Sequence, residues 1–157
     1  MSTKSGFMRC PVTADLTGAA QCVAFNFRKT ARALTKAYDV VLQPSGLRSA
    51  QFVALVWIAK LQPVSIGDLA NVLGVDPSTL SRGLRLMQKQ RLLTVSGRSA
   101  MRQRFVTLSA QGTRKLDDAV LLWQHLQERL LAFIGHKNWG RMRRDMEKLS
   151  HHAGSPR

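Results

Sequence analysis

A single glycine between two short apolar patterns constrains this chain more than any other feature. Gly74 accepts the left-handed conformation that turns a backbone sharply, so it ends one helix and forces the next onto a new axis. The first pattern opens at Ser65, where Ser-x-x-Asp (Ser65, Asp68) caps the opening turn and Val64 can pack onto Leu69. Its apolar residues Ile66, Leu69, Ala70 and Leu73 recur at helical spacing. The second opens at Asp76, a good N-cap, with Pro77 suited to the first helical position. From there Leu80, Leu84 and Met87 form a stripe to be buried. The opposite side carries Ser78, Thr79, Ser81, Arg82 and Arg85, hydroxyl and guanidinium groups of the kind that reach base edges and phosphates in a major groove.

Two strand-like runs follow, Leu92–Val95 and Arg104–Leu108, on either side of a basic loop containing Gly97. The order is helix, turn, helix, hairpin. Between Asp76 and Asp117 there is no Asp or Glu, yet the segment holds Arg82, Arg85, Lys89, Arg91, Arg98, Arg102, Arg104, Arg114 and Lys115. An ordinary solvated surface mixes signs, so this one expects a polyanion. The whole chain agrees, with a net charge of +15 over 157 residues.

Nucleic acid and an anionic membrane surface both fit that charge. No uninterrupted apolar run approaches the ~20 residues needed to cross a bilayer, and MSTKSGFMRCPVTAD lacks the apolar block of a secretion signal. A cytoplasmic protein without membrane partners is expected. Apolar residues make up 45% of the chain, enough for one packed domain and too many for disorder throughout. Cys10 and Cys22 are too few for a disulfide framework. His125, His136, His151 and His152 lack companions at metal-ligand spacing, apart from Glu128 one turn beyond His125. There are no paired carboxylates, no nucleophile elbow and no phosphate-cradling glycine loop, so neither an enzyme nor a cofactor is expected.

Helical patterns flank this core. Leu16, Ala20, Val23, Phe27, Ala31, Leu34, Tyr38 and Val41 step by three or four, predicting one helix of some seven turns that closes at Pro44, Ser45 and Gly46. The run from Arg48 to Lys60 is apolar almost all round, which predicts a buried central strut. Beyond the hairpin, Leu116, Val120, Trp123, Leu130 and Ile134 mark a long helix broken by Gly135. Trp139, Met142, Met146 and Leu149 mark a last one, with fraying expected from His151 onward. One small domain cannot bury all these stripes against itself, which points to a second subunit.

At these residues the chain resembles the MarR-type bacterial transcriptional regulators. The likeness rests on the LA-x-x-LGVD-x-ST-L-S-R run from Leu69 to Arg82, the LLTV strand from Leu92, the basic hairpin tip and the R-x-V-x-L-[ST]-x-x-G run from Arg104 to Gly112. With the flanking helices it covers about residues 15 to 150. The resemblance implies a mostly α (α+β) fold: a flexible arm over 1–14, a winged helix-turn-helix DNA-binding domain over 47–109, and a helical dimerisation region over 15–46 and 110–152. It further implies a homodimer reading a palindromic double-stranded operator, most often to repress. Ser78, Thr79, Ser81, Arg82 and Arg85 would enter the major groove, while Arg98, Arg102 and Arg104 would meet the minor groove and backbone. Two positions depart from the pattern. Ala100 replaces the acid that usually buttresses the wing arginine, here Arg102, and Arg91 stands where a glycine usually ends the recognition helix.

Relatives of this type often respond to a signal. A small aromatic effector would find Phe27, Tyr38, Phe52 and Trp57, with Arg28 as an anion partner, although aromatics at helical spacing also build ordinary core. Cys22, near the first helix start and within two turns of Arg28, has the electropositive setting a redox-sensing thiolate needs, and Cys10 could resolve it. An ordinary thiol fits as well. A nucleoid-type protein coating DNA without sequence choice is the other alternative.

Overall fold

A proline at the first helical position, a carboxylate cap and a left-handed glycine each leave their mark on the backbone of the computed structural model, which describes residues 17–97 and 104–154. The helices are α1 (Val23–Leu42), α2 (Ser49–Leu61), α3 (Ile66–Leu73), α4 (Pro77–Lys89), α5 (Ala110–Ile134) and α6 (His136–Gly154). The strands are β1 (Val64–Ser65), β2 (Leu93–Ser96) and β3 (Phe105–Leu108). Two compact units divide the chain, Met1–Leu34 and Thr35–Arg157.

In the first unit the expected seven-turn helix is shorter. Thr17–Gln21 is a tighter 3-10 turn, and α1 begins only at Val23. The Cys22 carbonyl accepts the Asn26 N–H at 3.1 Å and the Asn26 Nδ2 at 3.0 Å, so the α-helical ladder starts from Cys22 and does not run through Thr17–Gln21, while Leu16 lies outside the described residues. Periodicity cannot tell a 3-10 turn from an α turn over so few residues.

In the second unit the strands form one antiparallel sheet in the order β1-β3-β2, with Val64 opposite Val106 and Val95 opposite Val106 on the other side. Val106 is thus central and fully buried. Around it close Leu55 and Ile58 of α2, Leu69 of α3, Leu84 of α4, Leu92, Leu93, and Leu116 and Ala119 of α5. Each buried leucine contributes about 1.5–3 kcal/mol relative to exposure. α2 packs on α5, β3 and α3 and is central as expected, but it is not covered all round: Val53, Ala59 and Leu61 are exposed. Its buried residues Phe52, Ala54, Leu55 and Ile58 occupy one side only.

Side chains from elsewhere fix the joints. The Asp39 carboxylate of α1 accepts the Ser49 N–H at 2.7 Å and so caps α2, with the Arg48 guanidinium 3.7 Å away. These hydrogen bonds and that positive charge hold the Asp39 carboxyl below its ordinary value. The Tyr38 hydroxyl donates to Gln127 Oε1 of α5 at 2.7 Å, and burial pushes the phenol up. Lys115 Nζ donates to the Ser45 carbonyl at 3.1 Å, tying α5 to the α1–α2 turn.

α5 begins where α4 has just ended. Arg91 takes φ +58°, with its N–H on the Gln88 carbonyl and the Leu92 N–H on the Met87 carbonyl, the paired bonds of a Schellman terminus built without glycine. Ser109 then caps α5, accepting the Gly112 N–H at 2.9 Å while its hydroxyl donates to the Arg91 carbonyl and its N–H to the Leu92 carbonyl. α6 continues through Gly154, so the fraying expected from His151 does not occur there. His151 and His152 stand in its last turn, where ring N–H groups can meet open carbonyls.

Candidate nucleic-acid interface

The helix pair is built as its caps require. Ser65 Oγ accepts the Asp68 N–H at 3.1 Å, but the reciprocal bond differs from the expected one: the Ser65 hydroxyl donates to Asp68 Oδ2 at 2.6 Å. Gly74 sits at φ +62° and closes α3, with the Val75 N–H returning to the Ala70 carbonyl. Asp76 Oδ2 accepts the Thr79 N–H at 3.0 Å and the Ser78 hydroxyl, and both bonds hold the Asp76 carboxyl below its ordinary value. The acid closest to the recognition face is thereby spent on the start of α4.

Leu80, Leu84 and Met87 pin α4 to the core, leaving its other side outward. Ser78, Thr79, Arg82 and Arg85 are exposed and Ser81 is half-buried on the flank. Lys89 shares the spacing of Arg82 and Arg85 and is also exposed, a position that sequence reasoning counted only as charge. Arg82 Nη2 donates to Thr79 Oγ1 at 3.3 Å, which presets the guanidinium along the helix. Ser78 was expected only as a base- or phosphate-facing group, yet its hydroxyl also bonds the Asp76 cap, whereas Thr79 meets that cap through its backbone N–H and keeps its side chain outward.

The hairpin is locked to this pair. The Ile66 N–H, first of α3, donates to the Arg104 carbonyl at 3.1 Å, and β1 pairs with β3. Arg104 itself is exposed where the hairpin loop enters β3. Arg98 and Arg102, expected at the wing tip, lie outside the described residues. Of the remaining cations in the acid-free segment, Arg91 and Arg114 are exposed, whereas Lys115 is engaged with the Ser45 carbonyl.

The residues considered for an effector fall in different settings. Phe52 is 5% exposed and packs in the core, its ring centroid 6.0 Å from that of Trp123. Tyr38 is half-buried on Gln127, and Trp57 is half-buried with Lys60 Nζ 5.2 Å from its ring centroid. Phe27 and Arg28 belong to the unit ending at Leu34 and are exposed. Cys22 is a free, exposed thiol. Cys10 lies outside the described residues. Among the described residues no group of three His, Cys, Asp or Glu could hold a metal, and no helix is long and apolar enough to cross a membrane.

A helix pair hinged at a left-handed glycine, buttressed by a three-stranded sheet whose strand β2 packs against the second helix, defines a winged helix-turn-helix protein. A family profile described as MarR family matches residues 45–104. Among solved structures, the M. tuberculosis transcriptional regulator MosR in complex with DNA is 36% identical at a TM-score of 0.76, covering 84% of this chain and 96% of that one. The chain belongs to the MarR family of transcriptional regulators, which are not enzymes. The fold is shared at greater distance by S. aureus MepR in a DNA complex, 14% identical at a TM-score of 0.73 over 85% of this chain and 98% of that one. It is shared also by CouR from Rhodococcus jostii RHA1 bound to p-coumaroyl-CoA, 19% identical at 0.72 over 85% and 94%. No curated protein sequence matches the chain.

Proposed function

We propose that two copies of this chain pair into a cytoplasmic dimer that binds a palindromic operator and represses transcription. One observation carries the reading: α4 turns Ser78, Thr79, Arg82, Arg85 and Lys89 outward, at the head of a stretch that holds no acid from Pro77 to Leu116. DNA bound to MosR, its relative at 36% identity, supports the same partner here. Two recognition helices related by a dimer axis would stand about 34 Å apart and read successive major grooves.

In this reading DNA contact falls to residues 47–109 and pairing to 15–46 and 110–152. Exposed Phe27, Leu121, Met142 and, at 90% exposure, Phe133 support the pairing assignment, since large apolar side chains left to water mark an association surface. Ser78, Thr79, Ser81, Arg82 and Arg85 contact major-groove edges and phosphates, and Arg98, Arg102 and Arg104 contact the minor groove and backbone.

Fluorescence anisotropy with fragments selected from the source genome tests this. A regulator holds its own site at least ~10³-fold tighter than random duplex at physiological salt, whereas a DNA-coating protein binds both nearly equally. Arg82→Ala weakens binding by about 1–3 kcal/mol and changes base preference, while Arg102→Ala weakens it with little change in preferred major-groove bases. Unchanged affinity in both variants overturns the placement of helix and wing.

A second reading adds an effector. The p-coumaroyl-CoA held by CouR supports a small aromatic ligand that releases DNA here, with Tyr38 and Trp57 as the half-buried aromatics available to it. Oxidation of the exposed Cys22 thiol is the competing switch. Peroxide-driven release that survives Cys22→Ser removes Cys22 from that role.

A further inference from the structure

The DNA-reading helix contains a glycine that no described residue explains. Gly83 lies mid-way along α4 in ordinary helical backbone, where glycine weakens a helix relative to alanine. A methyl group built on Gly83 meets no described atom within 4 Å beyond its own helix, so no neighbour forces the choice. Gly112 of α5 shows the contrast, since a methyl there runs into the Leu92 carbonyl oxygen at 1.8 Å. No described residue of the subunit therefore supplies the reason for a glycine here.

Its place on the helix says what that reason is. At 3.6 residues per turn, Ser78, Arg82, Arg85 and Lys89 point away from the core, and Gly83 lies on one flank beside Thr79 and the 54% exposed Leu86. A helix with its side chains is about 10–12 Å across and the major groove about 12 Å wide. A seated helix thus has its flanks against the groove walls with little room to spare. A flank residue without a side chain lets the sugar-phosphate wall approach the helix backbone itself, while Arg82 on the adjoining row reaches deeper toward base edges.

Resting on the operator-binding reading above, we propose that Gly83 is a positioning residue for DNA recognition: it sets how deeply α4 seats in the major groove. Loose, charge-driven complexes do not need that depth. The glycine accordingly acts on specific binding and not on attraction to duplex in general.

The test measures stability and affinity in the same variants. Gly83→Ala raises Tm by about 2–4 °C, the shift that improved helix propensity gives in a chain of this size. It lowers affinity for the selected operator about tenfold or more, as expected for a methyl forced into a filled space. Gly83→Leu keeps the gain in Tm and loses more affinity, while binding to random duplex stays within about twofold of wild type in both variants. Operator affinity equal to or tighter than wild type in both, measured where Arg82→Ala does lose binding, overturns the role of Gly83 and leaves the regulator reading standing. A wild-type protein that binds no duplex, or an Arg82→Ala variant that binds normally, overturns the operator-binding reading and this inference with it.

Discussion

Gly112→Ala sets two effects of opposite sign against each other, and the structure decides between them. Helix propensity alone favours the substitution by about 1 kcal/mol, because Gly112 lies inside α5. The added Cβ, however, would stand 1.8 Å from the Leu92 carbonyl oxygen, 2.8 Å from its carbon and 3.3 Å from its Cα. Carbon–oxygen contacts settle at about 3.3 Å or more, so the two segments must part by about 1.5 Å. Both neighbours are backbone, and neither can swing aside as a long side chain would. The separation strains the two bonds that cross between the segments, the Ser109 hydroxyl to the Arg91 carbonyl and the Ser109 N–H to the Leu92 carbonyl. Overpacking costs about 1–3 kcal/mol, and weakening of these bonds adds about 1 kcal/mol for each one lost. With both lost, net destabilisation is about 2–4 kcal/mol, which lowers Tm by about 4–16 °C. Scanning calorimetry at fixed protein concentration measures it, since pairing makes Tm concentration-dependent. A variant that melts at or above the wild-type temperature would refute the close approach of α5 to the end of α4.

Other substitutions test single joints. Arg91→Gly relieves a left-handed backbone that costs a side-chain-bearing residue about 1–2 kcal/mol, offset in part by the freer unfolded chain, so Tm should rise by about 1–3 °C; a fall would show that the arginine side chain contributes more than its backbone costs. Asp39→Asn removes a carboxylate whose folded form holds its charge more tightly than the unfolded one. That contribution is present above the ordinary carboxylate value near 4 and is lost as pH falls through the depressed folded value. The variant should melt about 2–4 °C below wild type at pH 7, roughly one hydrogen bond, with the gap narrowing below a pH of about 4; an undiminished gap at a pH of about 2 would exclude the ionised cap.

Elements whose boundaries are written in neighbouring residues were legible in advance. Asp76 and Pro77 start α4 and Gly74 turns α3, because a cap is satisfied within three or four residues of itself. The strain at Arg91 showed through the resemblance, as a side-chain-bearing residue where that pattern ends the helix with glycine. What depends on distant partners was not. Nothing local distinguishes Phe52 as core beside Trp123 from Phe52 as pocket lining. Lys115 reads as one more surface cation until the fold brings Ser45 to it across 70 residues of sequence. The break at Cys22 was hidden because apolar spacing continues through it. For the interface, the outward set on α4 followed from the helix period, whereas the double duty of Ser78 needed the actual path of the Asp76 side chain.

That double duty bears on how such a protein changes its target over time. Arg82, Arg85 and Lys89 stand clear of the core, so drift at these positions can rewrite the operator without touching the stability of the subunit. Ser78 has no such liberty, because a replacement there that suits a new base also removes the hydroxyl that holds the Asp76 cap at the first turn of the helix that reads it. Divergent promoter choice should therefore accumulate along the middle and far end of this helix, leaving its opening turn as the slow-changing anchor.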